Sequence, residues 1–510
     1  SAEWHARREK AINGIHDVTI NDIYSSFSFL FDVPLSLCHT IMKLEEKYEM
    51  RFIQCRKSAK NLVFLAKNNR KEIYAVSDMY LSSSTISHLL KKVGYPEFNK
   101  IIISCEEKYT KDSGLLFKHI ISRYNISPQK SIFIGDNIKS DVKNASKNGF
   151  RSFHYQKAID CLKNKTNFMH PYDIALKHSV SAHIAIIANT IFDNPFTSFD
   201  IKTLFNNSPF ILGFSSIGPF LTNFTGWLIE TIRQKQYEML LFSSRDCFFI
   251  HKIYSLFRKY IPNLPEGKYF YLSRRATLPC FSNSRNIALL TTKYNSRYSY
   301  IDFINKYLPE SLASIDIEKN KKFLKSIGYD KIDQSKFQDF LKKNISIDEN
   351  KNKDKLNLIF EYIQQESEGK NFALVDSGAR GTSRDAISQL LNKNIDLYLL
   401  RSYRYKTSNI NNTFVYHKES FNYFRPGRQA FTSSFYEPLI SSCHEGSCEG
   451  YIKLGNRIIP TLADIEDITT KHNTFMEQYG ILFFAQKYIN IFCDDSVMLI
   501  TEPSSEFFKA

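Results

Sequence analysis

The 510-residue sequence lacks the signatures of several common protein classes. No stretch approaches about 18 consecutive apolar residues, which predicts that no helix crosses a membrane. Its nine cysteines lie far apart and form no CxxC pair, so a zinc site is not indicated and reduced thiols in the cytoplasm are expected. The sequence also contains no GK[ST] phosphate loop and no complete GxGxxG motif.

What is present is the composition of a large, basic, globular protein. Hydrophobic residues make up 43% of the sequence and aromatic residues 14%, which is sufficient for two or three domains with buried cores. The formal net charge of +16 favours anionic substrates or an anionic membrane surface. Nucleic acid is not expected as a partner, because no RNA-recognition signature, zinc finger or dense basic helix accompanies the charge.

The opening residues, SAEWHARREK, have neither an initiator Met nor an apolar signal core. They predict that the sequence starts at a boundary inside a longer chain. Up to about residue 70, apolar residues recur at intervals of three and four, which is typical of helices. From Glu72 onward, the strand patterns IYAVSD, NKIIISCE, SIFIGD and RSFHYQ alternate with helical segments. This alternation predicts a doubly wound parallel sheet.

Polar residues stand at the carboxyl ends of these strands, where parallel sheets bind their ligands. Ser77 ends the first strand and Lys111 precedes a helix, while Asp136 follows the third strand with Asp141 five residues later. Two carboxylates at this spacing can hold a hard cation such as Mg²⁺, and a Ser hydroxyl and a Lys ammonium group can hold phosphoryl oxygens. Taken one at a time, these residues have ordinary structural explanations: Ser77 as a helix N-cap, Lys111 as a surface residue and Asp141 as an acid in the first turn of a helix. Taken together, in this order and at the ends of these strands, they favour a phosphate-binding site.

The motifs SDMYL, Lys111 and GDNIKSD resemble motifs two, three and four of the haloacid-dehalogenase (HAD) phosphatase superfamily. The resemblance covers roughly residues 1–155. It implies that Ser77 holds the phosphate and that Lys111 neutralises it. It also implies that Asp136 and Asp141 are ligands of Mg²⁺.

One motif of that superfamily is missing. No DxD motif precedes Ser77, although the family carries its nucleophile and its general acid/base there, and Asp22 and Asp32 lie in helical context. In relatives, helices like those at the start of this sequence form a cap after the first motif. The resemblance therefore implies that the nucleophile-bearing strand precedes residue 1 or comes from another segment. As given, the phosphatase is expected to be defective.

The second half predicts another α/β unit, after a helical connection at residues 156–205. The strand patterns LLFSSRD and YFYLSRR each end in a polar turn. The adjacent Arg274 and Arg275 can bind a diphosphate through forked donors, although an exposed basic turn is the simpler alternative. Residues 285–370 are charged and predict an inserted helical subdomain, and the last 50 residues also favour helix.

The stretch NFALVDSGARGTSRDAISQLL is the centre of this second half. A strand ends at Asp376, a loop of small residues follows, and a helix begins. Backbone N–H groups at the start of a helix favour a phosphate. Gly378 and Gly381 permit close approach, and Thr382 and Ser383 add hydroxyl donors. An ordinary strand–turn–helix connection with an N-cap explains the same pattern equally well.

Four segments, LFSSRDCFF, YFYLSRRA, ALVDSGARGTS and FYEPLISSCHEGSCEGY, resemble the domain that accompanies HAD-like modules in bacterial polysaccharide-biosynthesis proteins. The strand–Asp–loop pattern also resembles the phosphoribosyl-diphosphate (PRPP) loop of phosphoribosyltransferases, which usually has two adjacent acids where this sequence has Asp376 and Ser377. Proteins that pair the two modules are similar to ribofuranosyltransferases of capsule and O-antigen synthesis. The resemblance implies two doubly wound (Rossmann-like) domains. The HAD-like domain spans residues 1–155 and begins with a helical cap at residues 1–70. The phosphoribosyltransferase-like domain spans residues 206–510 and contains the helical insertion at about residues 285–370.

The second resemblance also implies roles for individual residues. The loop from Gly378 to Ser383 would hold the 5-phosphate of PRPP, and Asp376 would hold the ribose hydroxyls. The diphosphate leaving group, together with Mg²⁺, would be bound by three arginines: Arg245, Arg274 and Arg275. Asp246 or Glu437 would be the base that activates the acceptor hydroxyl, and the sequence leaves that choice open.

The partners expected from this resemblance are PRPP, a glycan or lipid-linked glycan acceptor, and other enzymes of capsule or O-antigen assembly, at the cytoplasmic face of the membrane. Two alternatives stay open. In one, the chain is a phosphatase of the same pathway whose second half only binds glycan. In the other, it is a non-catalytic scaffold inside a larger polymerase.

Overall fold

The chain divides into two compact units in the computed structural model. The first comprises Ser1–Leu176 and Val180–Asn206, and the second comprises Asn207–Lys509 with Lys177–Ser179. Apart from isolated positions between 313 and 347, the structure describes the following residues: 1–14, 17–166, 178–200, 202–281, 349–378, 381–403, 412–419, 440–441, 444–465 and 471–493.

Four helices open the first unit, in agreement with the spacing of its apolar residues: α1 (Ala2–Ile12), α2 (Ile20–Phe31), α3 (Leu35–Phe52) and α4 (Lys57–Asn68). The start of α2 is fixed by a capping box. The Thr19 hydroxyl accepts a hydrogen bond from the Asp22 N–H, and the Asp22 carboxylate accepts one from the Thr19 N–H. Ile20 packs with Leu81 and Leu89. The helices therefore share a core with the segment that follows the first strand.

Strands and helices alternate in the rest of this unit. The strands are β1 (Tyr74–Ser77), β2 (Lys100–Ile103), β3 (Ile132–Gly135) and β4 (Arg151–His154). The α-helices are α5 (Ser83–Lys92), α6 (Ser104–Glu107), α7 (Leu115–Tyr124), α8 (Ala145–Lys147), α9 (Ala158–Lys165) and α10 (His178–Ile191). A 3₁₀ turn at Pro128–Lys130 precedes β3, and a π-helical segment at Ile138–Asn144 follows it.

The sequence predicts one sheet in this unit, but its described residues form two two-stranded parallel half-sheets, β1–β2 and β3–β4. Within the described ranges, no strand pairs with the second edge of β1 or of β3. Ile132 and Ile134 of β3 are 62% and 50% exposed, although parallel strands are normally covered. Both half-sheets nevertheless contribute to one core around Phe117, against which Val76 of β1 and Phe133 of β3 pack.

A five-stranded parallel sheet lies at the centre of the second unit. Its strands are β5 (Met239–Ser243), β6 (Glu266–Phe270), β9 (Phe372–Asp376), β10 (Leu397–Tyr403) and β11 (Thr413–Glu419), and a short antiparallel pair, β7 (Ala313–Ser314) and β8 (Ser346–Ile347), precedes β9. The spatial order is β11–β10–β9–β5–β6, and all neighbours are parallel. The chain steps outward from β5 to β6 and then returns to the other side of β5 at β9. At such a reversal of strand order, the loops after the two strands diverge and leave a crevice for ligands.

The described part of the second unit also contains six α-helices and an antiparallel hairpin. The α-helices are α11 (Pro209–Leu212), α12 (Gly218–Ile232), α13 (Phe248–Arg258), α14 (Glu349–Ser367), α15 (Thr382–Leu391) and α16 (Lys471–Phe492), and β12 (Cys448–Leu454) with β13 (Arg457–Leu462) forms an antiparallel hairpin. The described part of the predicted helical insertion contains α14 but also the strands β7 and β8, so it is not purely helical. None of the described helices combines the length and apolar character of a membrane span.

Candidate functional site

In the first unit, the carboxyl ends of β1 and β3 carry the residues that the sequence singles out. Ser77 is the last residue of β1, and Asp136 follows the end of β3. The loop before α7 carries Lys111, whose Nζ lies 2.6 Å from Asp141 Oδ1. The Lys111 side chain is 12% exposed and that of Asp141 is 3% exposed. Two residues that are 30 positions apart in sequence therefore form a buried ion pair.

The turn after β3 is built around the Asp141 carboxylate. Burial opposes the charge of Asp141, but the hydrogen bond and the charge of Lys111 outweigh burial, and the pKa of Asp141 lies below its ordinary value. The Asn137 N–H donates to Asp141 Oδ2 at 3.0 Å. A Cβ atom at Gly135 would collide with this carboxylate. The spacing of GDNIKSD thus reflects a turn in which the glycine makes room for the final aspartate.

The loop that carries Lys111 is fixed by two side chains that the sequence did not single out. Asp78 accepts the backbone N–H groups of Lys111 and Asp112 at 2.8 and 3.2 Å. Asn144 donates to the carbonyl oxygens of the same two residues at 2.9 and 2.8 Å. Asp78 stands inside the SDMYL motif, beside Ser77, and that position is a usable signal. Asn144 stands outside every motif, and nothing in the sequence marks it.

These residues do not by themselves form a Mg²⁺ site. Both oxygens of Asp141 already accept from protein donors, and Asp136 is 42% exposed and pairs with Lys157 at 3.6 Å. Mg²⁺ needs an octahedral set of oxygen ligands, and the described part of the chain contains no group of three or more His, Cys, Asp or Glu side chains that could hold a metal ion. The roles of Asp136 and Asp141 as metal ligands stay predictions.

In the second unit, the reversal of strand order brings two polar loops together. β5 ends at Ser243, with Asp246 in the following turn, and the adjacent β9 ends at Asp376, with Ser377 after it. The charges of Asp246 and Asp376 are close enough to interact. The hydroxyl groups of Ser243 and Ser377 are buried and have no hydrogen-bond partner among the described residues. Unpartnered polar atoms at such a position are groups that a ligand can satisfy.

Asp376 has an unusual protonation equilibrium. Burial raises the pKa of its carboxyl group to about 6, and the charge of Asp246 acts in the same direction. The Gly378 N–H donates to Asp376 Oδ1 at 3.0 Å and opposes the shift, as does the charge of Arg274. Only near pH 6 would the protonated and ionised forms coexist, and above that pH the ionised carboxylate accepts hydrogen bonds, which suits the recognition of hydroxyl groups.

The turn after β5 is held in a strained conformation. Arg245 has φ of 64°, which is uncommon for a residue with a side chain. Its N–H donates to the Tyr269 hydroxyl, which in turn donates to the Glu445 carboxylate. Its guanidinium Nη1 donates to Ser447 Oγ at 2.7 Å. Tyr269 and Glu445 thus position Arg245, and sequence reasoning missed Tyr269 because a tyrosine in a strand carries no distinctive pattern.

The two adjacent arginines after β6 have different partners. The charge of Arg274 partly offsets the rise in the pKa of Asp376. Arg274 therefore interacts with the acidic pair Asp246 and Asp376. The guanidinium group of Arg275 forms an ion pair with Glu449 of β12. Asp246, the other member of the acidic pair, accepts a hydrogen bond from the Ser441 hydroxyl at 2.6 Å. Arg274 is therefore the arginine of this pair that belongs with the acidic residues.

The glycine loop after β9 leads directly into α15. Gly381 has φ of 66° and immediately precedes Thr382, the first residue of the helix, and this left-handed conformation favours glycine. Ser383, in the first turn, is buried. The centre of the loop, residues 379–380, and the candidate base Glu437 lie outside the described residues.

Comparison with known protein families matches residues 109–163 to a family described as HAD-hydrolase-like. The matched segment includes Lys111, Asp136 and Asp141, and it runs from the Lys111 loop into α9. A search of curated proteins finds no match. The first unit therefore contains a HAD-hydrolase-like segment, and that segment indicates a phosphatase-type module.

Proposed function

We propose that the chain combines a HAD-type phosphatase module with a second module that transfers 5-phosphoribofuranose from PRPP to a capsule or O-antigen glycan. The buried Lys111–Asp141 pair, within the segment that matches HAD-like hydrolases, carries the first part of this proposal. The second part is supported by the acidic pair Asp246 and Asp376 at the switch point of a parallel sheet. A transferred 5-phosphoribosyl group retains its phosphate, and this gives the phosphatase a substrate.

The first module binds the phosphate through Ser77 and Lys111. The Asp141 carboxylate, 2.6 Å from Lys111 Nζ, is the counter-ion of the buried ammonium group and holds it in place. Asp78 and Asn144 fix the backbone on which Lys111 stands. These residues bind and neutralise a phosphate, but none of them is a nucleophile.

We assign the nucleophile to a further parallel strand between β1 and β3. Among the described residues no strand pairs with the second edge of β1 or of β3, and Ile132 and Ile134 of β3 are exposed. A strand inserted between β1 and β3 would pair with both edges and would end beside Ser77, which supports this assignment. Its carboxylate would attack phosphorus and form an acyl phosphate while the P–O bond to the sugar breaks and the general acid of the same motif protonates the leaving sugar oxygen. Water would then hydrolyse the acyl phosphate to inorganic phosphate and the free carboxylate. Dependence on Mg²⁺ stays a prediction from the resemblance.

In the second module, Asp376 would bind the ribose hydroxyls, and the backbone N–H groups around Gly381 would hold the 5-phosphate. Arg245 and Arg274 would hold the diphosphate. The bond between C1 and the diphosphate breaks, and a bond from C1 to the glycan hydroxyl forms, so positive charge near the diphosphate stabilises the departing group. Asp246 or Glu437 would take the proton of the glycan hydroxyl. The net charge of +16 supports a lipid-linked acceptor at an anionic membrane surface.

Titration calorimetry with PRPP and Mg²⁺ tests the transferase part of the proposal. We expect micromolar affinity for the wild type, loss of binding in Asp376→Asn, and no change in Asp464→Asn, which alters an exposed aspartate of the same unit. Circular dichroism establishes that each variant is folded. Absence of heat from the folded wild type would contradict the transferase and would favour a phosphatase whose second half only binds glycan.

A further inference from the structure

The two carboxylate oxygens of Asp246, in the turn after β5, have different surroundings. Oδ1 accepts a hydrogen bond from the Ser441 hydroxyl at 2.6 Å and another from Arg245 Nε at 3.1 Å. Oδ2 has no donor among the described residues, and it is not one of the buried oxygens without a partner. The side chain is 24% exposed. Oδ2 is therefore the oxygen of Asp246 that a ligand can reach.

The donor Ser441 is itself held by helix α16. Gln478 of that helix is buried, and its Nε2 donates to the Ser441 carbonyl oxygen at 2.9 Å. The helix has a fixed position, because it approaches α11 so closely that a Cβ atom at Gly480 would collide with the Phe210 carbonyl oxygen. The backbone of Ser441 is thus attached to a well-packed helix, and its hydroxyl transmits that position to Asp246.

The second donor, Arg245, is also fixed. Its Nη1 donates to Ser447 Oγ at 2.7 Å, and its backbone N–H donates to the Tyr269 hydroxyl. Two donors from separate segments of the chain therefore hold Oδ1 of Asp246. Because the two oxygens of a carboxylate turn together, this arrangement also sets the direction of Oδ2.

The acidic pair divides its protonation unequally. Burial raises the pKa of Asp376 to about 6, and the negative charge of Asp246 contributes to that rise. In this interaction Asp376 is the member that holds a proton more readily, and Asp246 acts on it as a negative charge. Neighbouring acids with different proton affinities take different roles in a reaction. Asp246 is the member suited to accept a proton from a substrate hydroxyl.

We propose that Ser441 is a positioning residue of the transferase, which holds Oδ1 of Asp246 so that Oδ2 accepts the proton of the attacking hydroxyl. This inference rests on the proposed transfer from PRPP. In the step, the bond between C1 and the diphosphate oxygen breaks, a bond between C1 and the acceptor oxygen forms, and the proton of the acceptor moves to Asp246 Oδ2. Water can replace the glycan as the acceptor, and the products are then ribose 5-phosphate and diphosphate.

Release of diphosphate from PRPP by the full chain, with Mg²⁺ present and water as the acceptor, tests this inference. In Ser441→Ala we expect kcat to fall by about tenfold and KM for PRPP to change by less than about twofold, because the lost hydrogen bond orients the base and not the donor. Ser441→Thr keeps the hydroxyl and should restore most of kcat. Ser255→Ala is the matched control, since that hydroxyl donates to the His251 carbonyl oxygen within α13 at 2.8 Å.

A double-mutant cycle shows whether Ser441 acts through Asp246. Asp246→Asn should lower kcat more than Ser441→Ala does, because it removes the base itself. In the Asp246→Asn background, Ser441→Ala should lower kcat by less than about twofold, since the hydroxyl no longer has a base to orient. A further tenfold loss in that background would overturn the inference.

The other outcomes separate this inference from the function on which it rests. Unchanged kcat in Ser441→Ala, with a large loss in Asp246→Asn, would overturn the role of Ser441 and leave the transferase intact. A lower kcat with a lower Tm, and no recovery in Ser441→Thr, would show a structural role and would also overturn it. A wild type that binds PRPP in calorimetry but releases no diphosphate would contradict a base directed at the acceptor. If the folded wild type does not bind PRPP, the transferase fails and the role of Ser441 fails with it.

Discussion

At the scale of single residues, Lys111 and Asp141 depend on each other more than an ordinary ion pair does. Both side chains are largely buried, and removal of one leaves an uncompensated charge in a medium that solvates it poorly. Breaking such a pair typically costs more than the pair itself contributes to stability. Exposed pairs behave differently, because water and salt replace the missing partner.

Replacement of Lys111 by methionine should therefore lower the free energy of unfolding by about 3 kcal/mol. The matched control is Lys139→Met, since Lys139 pairs with Asp112 at 2.8 Å in the same unit but with both side chains exposed. For that variant we expect a loss of less than about 1 kcal/mol. Urea unfolding at pH 7 measures both, and losses of equal size would mean that burial does not distinguish the two pairs.

At the scale of elements, the turn after β3 shows how a short motif encodes a contact. Gly135 ends the strand at the point where any Cβ atom would meet the Asp141 carboxylate. Gly135→Ala should displace Asp141 from Lys111 and destabilise the protein by about 2 kcal/mol. At Gly450, a Cβ atom would lie 3.6 Å from Thr461 Oγ, an ordinary contact, so Gly450→Ala is the control and should have little effect. Urea unfolding measures both changes, and equal stability of the two variants would contradict this account of the motif.

Helix α16 contains a carboxyl group that should make stability depend on pH. Burial raises the pKa of Glu477 to about 8 from an ordinary value of 4.5, and its Oε1 has no partner among the described residues. The unfolded chain loses this proton near pH 4.5, whereas the folded protein holds it until about pH 8. The stability that this group contributes is therefore fully present below pH 4.5 and is lost progressively as the pH rises to about 8.

Glu477→Gln removes this titration. Its Tm should equal that of the wild type near pH 4.5, exceed it increasingly up to about pH 8, and keep a constant advantage above that pH. Differential scanning calorimetry across this range measures the effect, with Glu361→Gln on the exposed face of α14 as the control. A Tm difference that is constant over the whole range would show that Glu477 ionises in the folded protein as it does in the unfolded chain.

Sequence periodicity was sufficient to predict strands and helices and the polar residues at the ends of strands. It was not sufficient to predict the contacts that side chains make between distant elements. The apolar runs that end at Ser77 and Asp376 are strands, and Lys111 reaches Asp141. The support from Asp78 and Asn144 was not predictable, because a side chain bound to the backbone of a distant loop leaves no periodic pattern. The single sheet expected for the first unit is divided, because strand pairing depends on neighbours that periodicity within one strand does not specify.

At the scale of the whole molecule, the charge distribution bears on both proposed reactions. A net charge of +16 creates a long-range field that raises the encounter rate with anionic substrates. Such a field acts across solvent and is screened by salt, whereas the buried Lys111–Asp141 contact is largely shielded from dissolved ions. The two kinds of interaction can therefore be separated by ionic strength.

The association rate of PRPP should fall by about tenfold when KCl is raised from about 0.05 M to about 0.5 M, because the field of the protein is screened over a distance that shrinks with salt. Stopped-flow fluorescence measures the association rate, and sucrose at matched osmolality controls for effects of water activity. The coupling free energy of Lys111 and Asp141, from a double-mutant cycle, should stay constant over the same range. A salt-independent association rate would mean that local contacts alone, and not the net charge, guide the substrate to its site.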